Sequence, residues 1–126
     1  MKKVFITQTI PDAGINFLKN NGIGTEINKS FNPLPKTELI ERMKKADVLI
    51  TLLTDNIDSE IIDNAVKYGI KGFCNYAVGF NNIDSVYAKS KNIYVTNTPG
   101  VLTKTTAEMA WALLFASARR IVESHN

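Results

Sequence analysis

Short β-rich runs alternate with helical patterns along most of this sequence, and that alternation leaves few folds open. β-branched and aromatic runs predict strands at Lys3–Thr7, Gly24–Asn28, Ile70–Tyr76 and Asn92–Asn97. The run DVLITLL, Asp47–Leu53, is continuously apolar between polar neighbours, the pattern of a strand buried on both faces. Between these runs the apolar spacing turns helical. One helix opens at Pro11, turns Ile15, Leu18 and Phe17 inward, and ends at Gly22. A two-proline loop, FNPLPK, leads to a second over Thr37–Ala46, with Leu39, Ile40 and Met43 at helical spacing. Ser59–Tyr68 and Asp84–Ser90 complete the set. Strand–helix alternation implies βαβ units and a parallel sheet covered on both sides. The expected fold is therefore α/β: a five-stranded parallel sheet in three layers, in the flavodoxin-like (Rossmann-like) order 2-1-3-4-5. A chain of 126 residues suffices for one such domain.

The tetrapeptide NIDS occurs twice, at Asn56–Ser59 and Asn82–Ser85, each time between a predicted strand and a predicted helix. An Asp or Asn there can accept from the free N–H groups of the first helical turn, so both copies read as helix caps. After TPG, Thr98–Gly100, the pattern changes. Thr105 and Glu108 form an S/T-x-x-E capping box, predicting a helix of about 20 residues. Its first half, AEMAWALLFASA, is apolar or small almost all round, and such a helix normally has protein on most sides. It expects a partner that residues 1–100 cannot fully supply.

Several function classes fall away at this level. The net charge of +3 permits anionic ligands, but the lysines are scattered and form no basic stripe of the kind that binds nucleic acid. The single cysteine, Cys74, allows no disulfide framework and no thiolate metal cluster. The single histidine, His125, stands one residue from the end and reads as a solvated terminal residue, so neither a histidine-rich metal site nor an internal histidine dyad is expected. The N-terminal apolar stretch is too short and polar for a signal segment, and the longest apolar run, Met109–Ala116, is far too short for a membrane span. A cytoplasmic protein is the expectation.

In an open parallel sheet, ligands sit outside the carboxyl ends of the strands. The loop after the first strand, TQTIPD, has no glycine and is a poor match to a flavin-phosphate loop; it also lacks the acidic residues of a receiver phosphoacceptor. In LLTDN, after the third, Leu52 or Leu53 can touch a small ligand, with at least one of them packing in the core. The loop NYAVGFNNID, Asn75–Asp84, carries no charge between Asn75 and Asn82. Gly79 can take positive φ there, aligning successive N–H groups into an anion-binding nest, aided by the dipole of the helix that follows. A plain turn explains the same residues. In NGIGTEI, Gly22 and Gly24 begin a G-x-G, but position 27 is isoleucine and the order is helix to strand, the reverse of a dinucleotide fingerprint.

Two stretches, NYAVGFNNID and KNIYVTNTPGVLTKTTAEMAWALLFASARRIVES, together resemble the N-terminal part of the D-isomer-specific 2-hydroxyacid dehydrogenases, most closely the glyoxylate/hydroxypyruvate reductase and D-lactate dehydrogenase-like branch. The resemblance covers the whole chain. It implies two Rossmann-like domains with the active site between them, the first binding the 2-oxo acid and the second NAD or NADP. It implies that the backbone N–H groups of Val78 and Gly79 hold the substrate carboxylate, that Leu53 borders the substrate, and that Thr106, in the first turn of the long helix, lies near the nicotinamide. It implies residues 1–100 as the substrate-binding domain and 101–126 as an interdomain helix opening the nucleotide domain. The family's catalytic arginine, glutamate and histidine, and its G-x-G-x-x-G, fall beyond Asn126, and His125 does not match the catalytic histidine by context. The expectation is thus the substrate-binding portion of an oxidoreductase, truncated and inactive alone, with no catalytic residue and no metal site. The alternative is a non-catalytic flavodoxin-like module. Both expect self-association through the helix at 105–120, since so large an apolar surface is rarely left in water.

Overall fold

The computed structural model describes residues 2–125; the side chain of His125, expected to be solvated, lies outside the described residues. Five strands, β1 (Lys3–Ile6), β2 (Gly24–Ile27), β3 (Val48–Thr51), β4 (Gly72–Asn75) and β5 (Tyr94–Thr96), form one parallel sheet in the order β2-β1-β3-β4-β5. That is the expected fold class and order. Helices α1 (Asp12–Asn20), α2 (Lys36–Met43), α3 (Ser59–Tyr68) and α4 (Ser85–Ser90) connect the strands.

The handedness of the crossovers explains the layers. The step from β1 to β2 runs in one direction along the sheet and the later steps in the other, so right-handed connections place α1 alone on one face. There Ile15 and Leu18 pack on Ile6, Val4, Ile27 and Ile50. On the other face Leu39, Met43, Ile61, Ile62 and Ala88 pack on Phe5, Leu49 and Phe73, the larger of two cores. Successive side chains point to opposite faces. With Phe73 and Val95 on the α2–α4 side, Cys74, Tyr94 and Thr96 fall on the face of α1, which reaches only β1–β3. Tyr94 is 77% exposed.

Three expectations need correction here. Phe17 does not turn inward; it is exposed, because the buried stripe of α1 is only Ile15 and the half-buried Leu18 wide. The β3 region is not buried evenly on both faces: Leu49 and Thr51 are buried, whereas Val48 and Ile50 are half-buried beneath the single helix on their side. The second helix is shorter than Thr37–Ala46, closing at Met43 so that Ala46 can turn into β3.

Both NIDS copies cap helices as expected. Asp58 accepts from the Ile61 N–H at 3.1 Å and Asp84 from the Tyr87 N–H at 2.9 Å. The copies also bond to each other: the Ile57 N–H donates to the Asn82 carbonyl (2.8 Å) and the Asp84 N–H to the Ile57 carbonyl (3.0 Å). Gly69, at φ 79°, then ends α3 in the left-handed conformation glycine tolerates best. Asp58 also takes an ammonium contact from Lys36 at 2.5 Å. That bond, and less so the Ile61 N–H, holds its carboxyl below the usual carboxylate range despite partial burial. A carboxylate with a depressed folded pKa stabilises above the unfolded value, near 4, and loses that contribution as pH falls through the folded one. Asp58→Asn keeps the cap and removes the charge. Its stability from pH 6 down to pH 3 is expected to fall less steeply than wild type, by at most about 1 kcal/mol for so exposed a pair; urea melts across that range measure it.

The C-terminal region departs further from expectation. The long helix α5 spans Thr103–Ala118, and α6 (Ile121–His125) follows a break at Arg120, whose φ is 52°. The expected single helix of about 20 residues is therefore two. The capping box does not form. The helix begins two residues before Thr105, and the Thr105 hydroxyl donates to the Leu102 carbonyl rather than accepting from an amide. No residue of α5 is buried, and Met109, Trp111, Leu113, Leu114 and Phe115 are 55% to 60% exposed. No described helix is long and apolar enough to cross a membrane.

Candidate functional site

The loops after β1, β3 and β4 meet at the carboxyl end of the sheet around a buried polar network. Asp55 is 4% exposed. It accepts from the Thr7 hydroxyl, from Gln8 Nε2 (3.2 Å) and from the Leu52 N–H (2.8 Å), so among the described residues its oxygens are held by three donors and no cation. Asn75, the last residue of β4, accepts from the Thr51 hydroxyl (2.9 Å) and donates to the Gly79 carbonyl (2.8 Å) and to Asn82 Oδ1 (2.9 Å). Asn82 donates to the carbonyls of Leu52 (3.0 Å) and Asp55 (2.9 Å), tying the β4 loop to the β3 loop. Buried polar groups with partners fix one geometry, since any other arrangement strands a donor or acceptor away from water.

This network positions two of the anticipated site residues against each other. Leu53 is exposed and lies against Gly79, its Cδ2 3.7 Å from where a Cβ on that glycine would sit. Leu52, its neighbour, packs on the smaller core, as anticipated for at least one of the pair. Val78 and Phe80 are 41% and 46% exposed, so the β4 loop has an apolar, water-accessible rim.

Gly79 does not take positive φ. The nest built on a left-handed glycine is thus absent, and a different device orients the amides. The Ala77 carbonyl accepts from the Thr98 N–H (2.8 Å) and the Val78 carbonyl from Asn97 Nδ2 (2.7 Å). Peptide bonds here are trans, so each N–H points opposite to the carbonyl of the residue before it. With both carbonyls drawn toward Asn97–Thr98, the Val78 and Gly79 N–H groups face away from that segment. Neither donates to a protein group among the described residues. A pair of free, similarly directed N–H donors suits a carboxylate. Gly79→Ala is therefore expected to fold as wild type, within about 0.5 kcal/mol, with φ ordinary and only a van der Waals contact added. A thermal melt checks this; a left-handed Gly79 would cost more.

Thr106, the fourth anticipated residue, does not join this group. It sits on exposed α5 beside Thr105, Met109, Ala110 and Leu113, along a shallow groove. Other cavities lie at the amino ends of β1 and β2 (about 230 Å³) and between α4 and β5 (about 670 Å³), away from these loops. No cluster of three or more His, Cys, Asp or Glu among the described residues could hold a metal. Sequence reasoning missed Asp55, Asn75, Asn82 and Asn97. Their only advance signal is an amide or carboxylate side chain at a strand end or inside a turn, where it can serve backbone groups.

A parallel five-stranded sheet in this order, open at the carboxyl ends of its strands, defines a flavodoxin-like α/β domain. Comparison with known proteins then places it: residues 4–124 match the model of the D-isomer specific 2-hydroxyacid dehydrogenase catalytic domain, and the chain belongs to that family. It is 48% identical over 122 residues to a glyoxylate reductase of Thermococcus litoralis, covering 97% of this chain and 36% of the relative. Among solved structures, a Thermus thermophilus protein superposes with a TM-score of 0.86 at 40% identity over 97% of this chain and 38% of its own. A D-lactate dehydrogenase with NAD+ from Lactobacillus jensenii gives 0.71 at 25% identity, over 98% of this chain and 37% of its own. The chain thus spans little more than a third of the length of these relatives.

Proposed function

We propose that this chain is the substrate-binding portion of an oxidoreductase that transfers a hydride between NAD(P)H and a small 2-oxo or 2-hydroxy acid of the glyoxylate, hydroxypyruvate or lactate type. The observation that carries the reading is the free Val78–Gly79 amide pair at the carboxyl end of the sheet, in a chain whose family acts on 2-hydroxy acids. The two amides hold the carboxylate, and Leu53 borders the rest of the acid. Residues 1–100 form the binding domain and 101–126 the segment leading out of it.

The residues present do not themselves make a dinucleotide site. Thr106 offers one exposed hydroxyl, and Gly22 and Gly24 lie where the chain passes from α1 into β2, in the wrong order for a phosphate-binding turn. No chemical step through NAD or NADP is therefore assigned to these residues. Their part is to bind and orient the acid. The 126-residue chain is expected to bind oxalate, an unreducible analogue, with amide shifts at Val78 and Gly79 in nitrogen–proton spectra. It is expected to oxidise no NADH when glyoxylate is added. Turnover by the isolated chain would overturn the assignment of an inactive portion, and unmoved Val78 and Gly79 resonances would overturn the carboxylate site.

A second reading, a non-catalytic module that self-associates, rests on α5. Its large apolar residues, Met109, Trp111, Leu113, Leu114 and Phe115, are more than half exposed, a surface that association would cover. Self-association through 105–120 also fits the enzyme reading. A sedimentation profile that stays monomeric at high concentration would remove it from both.

A further inference from the structure

We propose that Asn97 is a positioning residue for the substrate carboxylate, acting through the backbone of Val78 and Gly79 rather than touching the acid. The inference rests on the carboxylate reading above and deepens it. Asn97 directly follows β5, and its Nδ2 donates to the Val78 carbonyl at 2.7 Å. That carbonyl belongs to the same peptide unit as the Gly79 N–H, so the Asn97 bond fixes the plane in which this donor lies. The adjacent Thr98 N–H does the same for the Val78 donor through the Ala77 carbonyl at 2.8 Å. On the far side, the Gly79 carbonyl is held by buried Asn75. Three consecutive carbonyls are thus tethered, and of the three tethers only that of Asn97 comes from a half-exposed side chain.

Position matters here because two N–H groups bind a carboxylate well only when both approach its oxygens near the favoured hydrogen-bond angle; the bond weakens steeply as that angle closes. Without the Asn97 tether the Val78–Gly79 peptide can rotate and one of the two donors is lost. Asn97 sits where water can replace it at the Val78 carbonyl, so the fold survives its removal while the orientation does not.

The test uses the 126-residue chain and two variants, Asn97→Asp, of the same shape but unable to donate, and Asn97→Ala. Residual dipolar couplings report the direction of the Val78 and Gly79 N–H bonds without ligand. Oxalate titration reports affinity, and thermal melting reports the fold. The expected result is a reoriented Gly79 N–H in both variants, an oxalate dissociation constant raised about tenfold, and a melting temperature near that of wild type. A Gly79 N–H direction unchanged in both variants overturns the proposal. So does a reoriented N–H with unchanged oxalate affinity, and so does a weaker affinity that tracks a lowered melting temperature with no reorientation. If wild type itself leaves Val78 and Gly79 unshifted by oxalate, the carboxylate reading and its dependent positioning role fall together. The dipolar couplings then still show whether the tether orients the loop.

Discussion

Asn75→Ala is expected to cost about 3 kcal/mol of folding stability, lowering the melting temperature by roughly 10–20 °C. Asn75 is 2% exposed and makes four side-chain bonds, three of them to groups that have little other recourse. Its removal strands the Thr51 hydroxyl, fully buried, and takes the inward partner from the Gly79 carbonyl and a donor from Asn82 Oδ1. Each buried group left unpaired costs about 1–3 kcal/mol, and relaxation toward water recovers part of the sum. The loss is a large fraction of the 5–15 kcal/mol that typically holds a domain together. A cycle with Thr51→Val separates the contributions. The double variant is expected to be less unstable than the sum of the singles by about 1 kcal/mol, because the Thr51 hydroxyl is no longer there to be stranded. Denaturant melts of the four proteins provide the measurement, and strict additivity would show that the two side chains do not act together.

Gly72→Ala is expected to cost about 2 kcal/mol, although glycine to alanine in a strand interior ordinarily stabilises. Gly72 pairs with Tyr94 across β4 and β5. A Cβ at this position would stand 2.9 Å from the Tyr94 carbonyl oxygen and 3.2 Å from its Cβ. The nearest obstacle is backbone, so rotating a side chain does not relieve it and β5 must shift. Asn97 and Thr98 follow β5 directly, so the same shift reaches the tethers on the Val78 and Ala77 carbonyls. The variant is therefore expected to melt lower and to bind oxalate more weakly, whereas Gly79→Ala keeps the wild-type melting temperature. Equal melting temperatures for Gly72→Ala and wild type would mean that the sheet has room the structure does not show.

The sheet, its strand order and the placement of α1 to α4 were legible in the sequence because they follow from local patterns and a handedness rule. Ser59–Tyr68 was readable to the residue, having a capping aspartate at one end and a glycine at the other. Both NIDS caps were readable for the same reason: a cap serves amides two or three residues away. Where local signals competed, the reading failed. The Thr105–Glu108 pattern is a sound capping box, yet the helix begins earlier, at Thr103. Phe17 has helical spacing but lies beyond the width of the face its helix buries.

By itself, then, the sequence determined a parallel α/β domain, its loops at the carboxyl end, and Gly79 with Leu52 or Leu53 as residues worth watching, since strand periodicity and turn chemistry act over a few positions; Val78, and Leu53 over Leu52, came from the family resemblance. Only the tertiary structure decided how the site is held. The bonds that orient Val78 and Gly79 come from residues 97 and 98, and the bonds that brace the loop beneath them join residues 51, 52, 55, 75 and 82. Such bonds depend on which strands lie side by side, and no local pattern encodes a hydrogen bond across nineteen residues. The freedom of Gly79 suggested one way to aim two amides; the folded chain aims them by holding their neighbouring carbonyls.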